Sequence, residues 1–240
     1  MQFRQRLAGL FSERSESMPF RHKIKHEINQ QDLLVLRSRL DAVMTRDSHA
    51  CGGTYRVRSL YFDNLYDRAL LEKLDGCSVR EKYRLRYYNG DTSCIKLEKK
   101  SKVNSLCSKE AVCLSVRETQ AILDGELDWL CASGKPLLLE FYAKSQALGL
   151  HPKTIVDYTR EPFLFAPGNV RVTLDHDIRT GMRCTDFLDP EVVTVPAGGP
   201  FGILEVKWDA FLPDVIRDLV QLPGRRAGAF SKYAACRIYG

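Results

Sequence analysis

The run Lys82-Tyr83-Arg84-Leu85-Arg86-Tyr87 decides how this chain is read. Basic and uncharged side chains alternate through it. In a strand, residues two apart point to the same face, about 6.7 Å from one another. Lys82, Arg84 and Arg86 therefore share one face, and Tyr83, Leu85 and Tyr87 the other. Such a strand packs its apolar side and presents its cationic side either to solvent or to a polyanion.

The pattern extends outward from this run. Asn89-Gly90-Asp91 turns it into a second strand over 93–100, with Lys96, Glu98 and Lys100 on one side. Asn-Gly between alternating runs is a strong hairpin signal. Further strands are predicted over 20–28 with Arg21, Lys23 and Lys25, and over 55–63 with Arg56 and Arg58. Others fall at 79–88, 153–160, 169–176 and 201–208, the last carrying Glu205 and Lys207. Helices are predicted over 31–44, from a cap at Asn64 to Leu74, from the capping box Ser115-Val116-Arg117-Glu118 to Asp124, over 137–148, and near 213–221 and 225–237. Strand runs broken by helices point to an α+β fold. Strands with one polar and one apolar face suit a closed antiparallel β-barrel with flanking and terminal helices, whose charged faces share an interior. Residues 1–18 read as a mobile arm and 19–240 as a single domain.

Composition narrows the function without choosing it. Lys and Arg number 36 against 30 Asp and Glu, a net charge of +6, which favours an anionic partner. The eight Cys include no C-x-x-C pair and read as reduced thiols of a cytoplasmic protein. No apolar stretch is long enough to span a membrane, and no secretory leader is evident. Phosphate-binding loops, dinucleotide fingerprints, nucleophile elbows and paired metal histidines are all missing.

Chemistry therefore falls to the same-face cations: Lys25, Arg58, Arg84, Arg86, Lys96, Lys100, Arg171 and Lys207. One reading is an ordinary solvated sheet face; repetition of Arg-x-Arg across several strands favours a cationic, phosphate-binding interior, since guanidinium pairs with phosphate oxygens bidentately. Glu98 and Glu205 interrupt the cations. They either neutralise local charge or hold Mg2+ or Mn2+ that bridges phosphate oxygens. Ser231-Lys232-Tyr233 on the last predicted helix adds a basic group, with Arg225 and Arg226 upstream.

Several segments, in their order and spacing, carry a resemblance. They are Tyr55-Arg56-Val57-Arg58-Ser59-Leu60-Tyr61-Phe62-Asp63-Asn64, Lys82 to Tyr88, Ile95 to Lys102, Tyr158-Thr159-Arg160, Val170 to Asp175, Leu204-Glu205-Val206-Lys207 and Ser231-Lys232-Tyr233. Together they resemble the polyphosphate polymerase domain of the vacuolar transporter chaperone (VTC) family, within the CYTH-like triphosphate tunnel metalloenzymes, over roughly 19–240. The resemblance implies a basic tunnel in which ATP gives its γ-phosphoryl group to a growing polyphosphate chain with the help of Mn2+ or Mg2+. It implies catalytic roles for Lys25, Arg84, Arg86, Lys100 and Arg171. It implies phosphate contacts from Arg160, Ser231, Lys232 and Lys109, and a metal on Glu205. The first strand, Arg21-His22-Lys23-Ile24-Lys25, lacks the acidic E-x-E-x-K of the hydrolytic and cyclase members, which leans away from a triphosphatase. A non-catalytic polyphosphate- or nucleic-acid-binding barrel is the rival of another class. Nucleic acid is disfavoured because Tyr83 and Tyr87 lie opposite the cations.

Overall fold

The fold is an antiparallel sheet curled into a half-barrel, with helices on its convex side, in a computed structural model that describes residues 21–104 and 106–238. The expected arm over 1–18 lies outside the described residues. The strands are β1 (His22–Ile28), β2 (Thr45–Arg46), β3 (Tyr55–Asp63), β4 (Val79–Tyr88), β5 (Asp91–Val103), β6 (Leu106–Leu114), β7 (His151–Phe165), β8 (Val170–Thr180), β9 (Val195–Pro196) and β10 (Gly202–Trp208). Their order across the sheet is β1-β10-β8-β7-β3-β4-β5-β6, with β2 paired to β7 and β9 to β8. Among the described residues β1 and β6 do not pair, so the closed barrel expected from the sequence is corrected to an open half-barrel. Irregular register on both sides of β7, at Tyr61/Phe62 of β3 and at Asp157/Thr159, adds the local twist that curls the sheet.

Two apolar layers cover the convex side. Helix α1 (Gln30–Asp41) starts at a capping box between Asn29 and Asp32. It buries Leu33, Leu36 and Leu40 against Leu174, Leu204, Val206 and Ile216, the last from α5 (Asp214–Leu219). Helices α3 (Val116–Leu123) and α4 (Pro136–Leu148) bury Ile122, Leu138 and Phe141 against Leu60, Tyr83, Leu85, Tyr87 and Leu97. The uncharged face of the Lys82–Tyr87 run thus lies where alternation puts it. Fully burying a side chain such as Leu85 contributes about 1.5–3 kcal/mol.

The sheet edges are managed differently. Gly228 N–H donates to the Lys25 carbonyl at 2.9 Å, and Ala227 bridges to His26, so extended chain runs along the outer edge of β1. The predicted helix over 225–237 is for that reason reduced to α6 (Lys232–Cys236). At the opposite edge, Cys94 and Cys113 form a disulfide tying β5 to β6. The all-thiol expectation is corrected there; Cys77, Cys107, Cys131, Cys184 and Cys236 are free.

Candidate functional site

Packing the apolar face outward leaves the other face of each strand on the inside of the curl. Strand register turns this into rows. On one wall Lys23 of β1 lies opposite Lys207 of β10, which lies opposite Arg171 of β8. On the other wall Lys82 of β4 lies opposite Lys100 of β5, which lies opposite Lys109 of β6. Like charges directly opposite destabilise a sheet, so two such rows are a cost the fold carries. The walls face each other: Lys100 lies in the electrostatic field of Lys23, Lys25 and Glu205, all from the far wall.

Carboxylates occur in the groove, each tied to cations. Glu98, 1% exposed, lies 2.6 Å from Arg84 Nη2, 2.5 Å from Lys109 Nζ and 3.7 Å from Arg86 Nη1. Asp175 is held at 2.6 Å by both Arg160 and Lys232, the latter on α6. Glu205 lies 2.7 Å from Lys207 and 3.3 Å from Lys25. Burial opposes ionisation of all of these acids, but the surrounding Lys and Arg outweigh it and hold each well below the usual carboxylate range.

Lys82 and Lys100 have no carboxylate partner among the described residues. Burial, with added repulsion from neighbouring cations, lowers both, Lys100 strongly and Lys82 to about 8. The Lys82 ammonium sits 5.1 Å from the centre of the Tyr61 ring. Tyr61 accepts a hydrogen bond from Arg84 at 2.8 Å. Burial would raise its phenol, yet Arg84, Lys82 and Arg86 bring it down to about 7. Helix α6 closes one end of the groove: Tyr233 stacks on Tyr61 at 4.8 Å and donates to Asp63 at 2.8 Å.

Most residues expected from the sequence meet in this groove: Lys25, Arg84, Arg86, Lys96, Lys100, Lys109, Arg160, Arg171, Lys207 and Lys232 line it, with Glu98 and Glu205. Arg171 is additionally held by Asp47 at 3.0 Å and Tyr55 at 3.1 Å. Ser231 caps α6, its hydroxyl accepting from Ala234 N–H. Arg58 is the exception. It points to the convex side, bonded through its guanidinium to Asp157 and to the carbonyl of Asp189, and takes no part in the groove. Lys82, Tyr61, Lys23 and Asp175 belong to the site but were not singled out. The i, i+2 rule that selects Arg84 and Arg86 selects Lys82 as well, so that signal was present.

A family model for the VTC domain matches residues 20–238. The chain belongs to the VTC domain family. Its curled sheet is also seen in solved structures of low sequence identity. A solved structure of HpAC1 from Hippeastrum, a candidate adenylyl cyclase described as having a dominant triphosphatase activity, is 13% identical; the match covers 91% of this chain and 95% of that one, with a TM-score of 0.54. A candidate adenylate cyclase from Bacillus halodurans is 14% identical over 79% of this chain and 80% of its own, with a TM-score of 0.48. The first of these shows the fold alone. No curated protein matches the chain.

A divalent cation in this VTC domain would find few donors. No group of three His, Cys, Asp or Glu among the described residues could hold one unaided. Mg2+ and Mn2+ sites of phosphoryl-transfer enzymes, however, need only one or two carboxylates, since phosphate oxygens complete the shell. Glu205 fits that role better than Glu98: two cations rather than three hold it, its side chain is 11% exposed against 1% for Glu98, and Lys207 and Lys25 keep its carboxyl well below the usual range. Glu98 does not fit, because three cations already enclose it.

Proposed function

We propose that the groove binds the triphosphate of ATP together with the end of an inorganic polyphosphate chain, and transfers the γ-phosphoryl group from the first to the second. One observation carries this reading: two facing rows of cations, Lys23–Lys207–Arg171 and Lys82–Lys100–Lys109, in which Lys23, Lys82 and Lys100 have no carboxylate partner among the described residues. A linear polyanion laid between them relieves repulsion on both sides at once.

In the transfer, an oxygen of the chain's terminal phosphate forms a bond to the γ-phosphorus. The bond from that phosphorus to the ADP oxygen breaks, and ADP leaves. The attacking oxygen is already anionic, so no general base is needed; positioning and charge neutralisation supply the acceleration. Arg84 and Arg86 fork onto phosphate oxygens. Glu98 and Tyr61 hold the Arg84 guanidinium in its orientation. Lys25, Lys100 and Arg171 offset charge along the chain, with Lys96, Lys109, Arg160, Lys207, Ser231 and Lys232 as further phosphate contacts. A divalent cation on Glu205, Mn2+ or Mg2+, would supply Lewis-acid neutralisation of the phosphate oxygens when bound.

Tyr61 favours a second reading. With its pKa brought to about 7 beside Arg84, Tyr61 can act as a phenolate that takes the proton of an attacking water and becomes the phenol, which is the base a triphosphatase requires. A nucleic-acid reading has less support, because Tyr61 and Tyr158 are buried, Tyr61 is stacked on Tyr233, and neither offers a free face to a base. We place the reaction in the cytoplasm on the supply of ATP; the Cys94–Cys113 disulfide removes the thiol argument for it. No helix among the described residues is long and apolar enough to cross a membrane.

The test is incubation with ATP and Mn2+, followed by gel electrophoresis stained for polymeric phosphate. Polymer from the wild-type chain, lost in Lys100→Ala and Glu205→Gln, supports the transferase. Orthophosphate without polymer supports the hydrolase, and ATP left intact refutes both.

A further inference from the structure

The cation rows do not stop where the groove does. Strand β4 pairs with β3 only through Arg84–Tyr88, so its first half, with β5, runs past the edge of the sheet. One step beyond the Lys82–Lys100 pair, about 6.7 Å further along, Arg80 lies opposite Lys102 on the same face. Helix α2 (Arg68–Leu74) packs against this part of β4 and brings up Lys73 from its last turn. Lys73 is close enough to Arg80 and Lys102 that, after burial, these two are the groups that lower its pKa.

The three cations are half-buried, and none has a carboxylate partner among the described residues. Arg80 is fixed in place by donating to the Cys77 carbonyl at 2.6 Å. Two of the acids near this end, on α2 and β4, are engaged elsewhere. Glu72 pairs with Arg68 at 2.7 Å, and Glu81 pairs with Lys144 at 2.5 Å and Lys99 at 3.8 Å on the convex side. An ordinary solvated face would intersperse acids with these bases. Here like charges gather at the end of a ribbon that already carries Lys82 and Lys100.

We propose that Lys73, Arg80 and Lys102 form an outlying subsite for the phosphate chain, reached only by anions longer than a triphosphate held in the groove. The subsite selects for chain length. ATP and tripolyphosphate fill the rows around Lys82, Lys100 and Arg84, while a long polyphosphate continues onto the outer pair. This rests on the reading of the groove given under the proposed function, and it adds a residue set and a discrimination that the groove alone does not provide.

The experiment measures the dissociation constants of tripolyphosphate and of long-chain polyphosphate for the wild-type chain and for the triple variant Lys73→Gln, Arg80→Gln, Lys102→Gln, by calorimetry at fixed salt. The expected result is a roughly ten-fold or greater loss for the long chain, the worth of one charge-assisted contact. Tripolyphosphate affinity should be retained, which also reports an intact fold. Equal weakening for both ligands would reduce the effect to general charge and overturn the subsite, as would no change for either. If wild-type protein binds tripolyphosphate with no preference for the long chain, the subsite falls while the groove stands. If it binds neither ligand, the groove reading falls as well.

Discussion

Replacing Glu98 by Gln removes the one negative charge that Arg84, Arg86 and Lys109 share. Glu98 is 1% exposed, so the three cations would face one another in a site with little water. Breaking a buried ion pair by removing one partner costs about 3–5 kcal/mol, because the charge left behind is uncompensated. For a domain of this size each kcal/mol moves the melting temperature by about 2–4 °C, so a drop of roughly 6–20 °C is expected for the free protein. Tripolyphosphate should reverse much of it. In the wild type the ligand competes with Glu98 for the same guanidinium groups; in the variant those groups are vacant. The stabilisation by ligand, RT ln(1 + [L]/Kd), should therefore be larger for the variant at equal ligand concentration. Differential scanning fluorimetry with and without tripolyphosphate reads both quantities. A variant that melts with the wild type, or one to which ligand gives no more than the wild-type shift, would refute the assignment of Glu98 as internal counter-charge to the anion site.

Further predictions follow from neighbouring groups. Lys82 titrates near 8 in the free fold against about 10.4 unfolded, so the folded state binds fewer protons between these values and stability of the free protein rises with pH across that window. Phosphate binding favours the ammonium form, so binding should take up protons around pH 8 and affinity should fall as pH rises above it; calorimetry in buffers of different ionisation enthalpy checks the sign. Glu98, Asp175 and Glu205 are all depressed, so their contribution is present above the ordinary carboxylate range and should be lost as pH falls below about 4, seen as an acid-side loss of melting temperature. Arg58→Ala leaves Asp157 unpaired on the convex side and should cost about 3–5 kcal/mol in urea unfolding while tripolyphosphate affinity stays unchanged. Reduction of Cys94–Cys113, which closes a loop with a sequence separation of 19, should lower stability by about 3 kcal/mol, measured by the same unfolding with and without reductant.

Where local chemistry dictates structure, the sequence was readable. Strands β3 and β4 begin and end where alternation places them, and Asn89 and Gly90 adopt the positive φ values, 52° and 75°, that an Asn-Gly hairpin needs. The Ser115–Glu118 capping box forms as expected. Strand β6 has no clear signal in the sequence, because Ser108-Lys109-Glu110 interrupts its apolar pattern and an edge strand has only one neighbour to satisfy. The length of α6 was overestimated because the bonds of Ala227 and Gly228 go to β1, a partner far away in the chain. Alternation alone groups Arg58 with the groove cations because its own strand looks like the others; only register against β7 shows that it faces Asp157. Whether strands close a ring is likewise a property of pairing and curl, which no single segment encodes.

That β1 and β6 do not pair with each other among the described residues has a consequence for how a polymer meets this surface. A sealed pore accepts a thread only by its tip, and every turnover or release must wait for the tip to pass. A trough with a lengthwise seam between its first and last strands lets a filament settle in sideways at any point along its length and lift out again without being unthreaded. Capture and escape are then set by how many ionic contacts form at once, and adding salt should loosen the grip continuously.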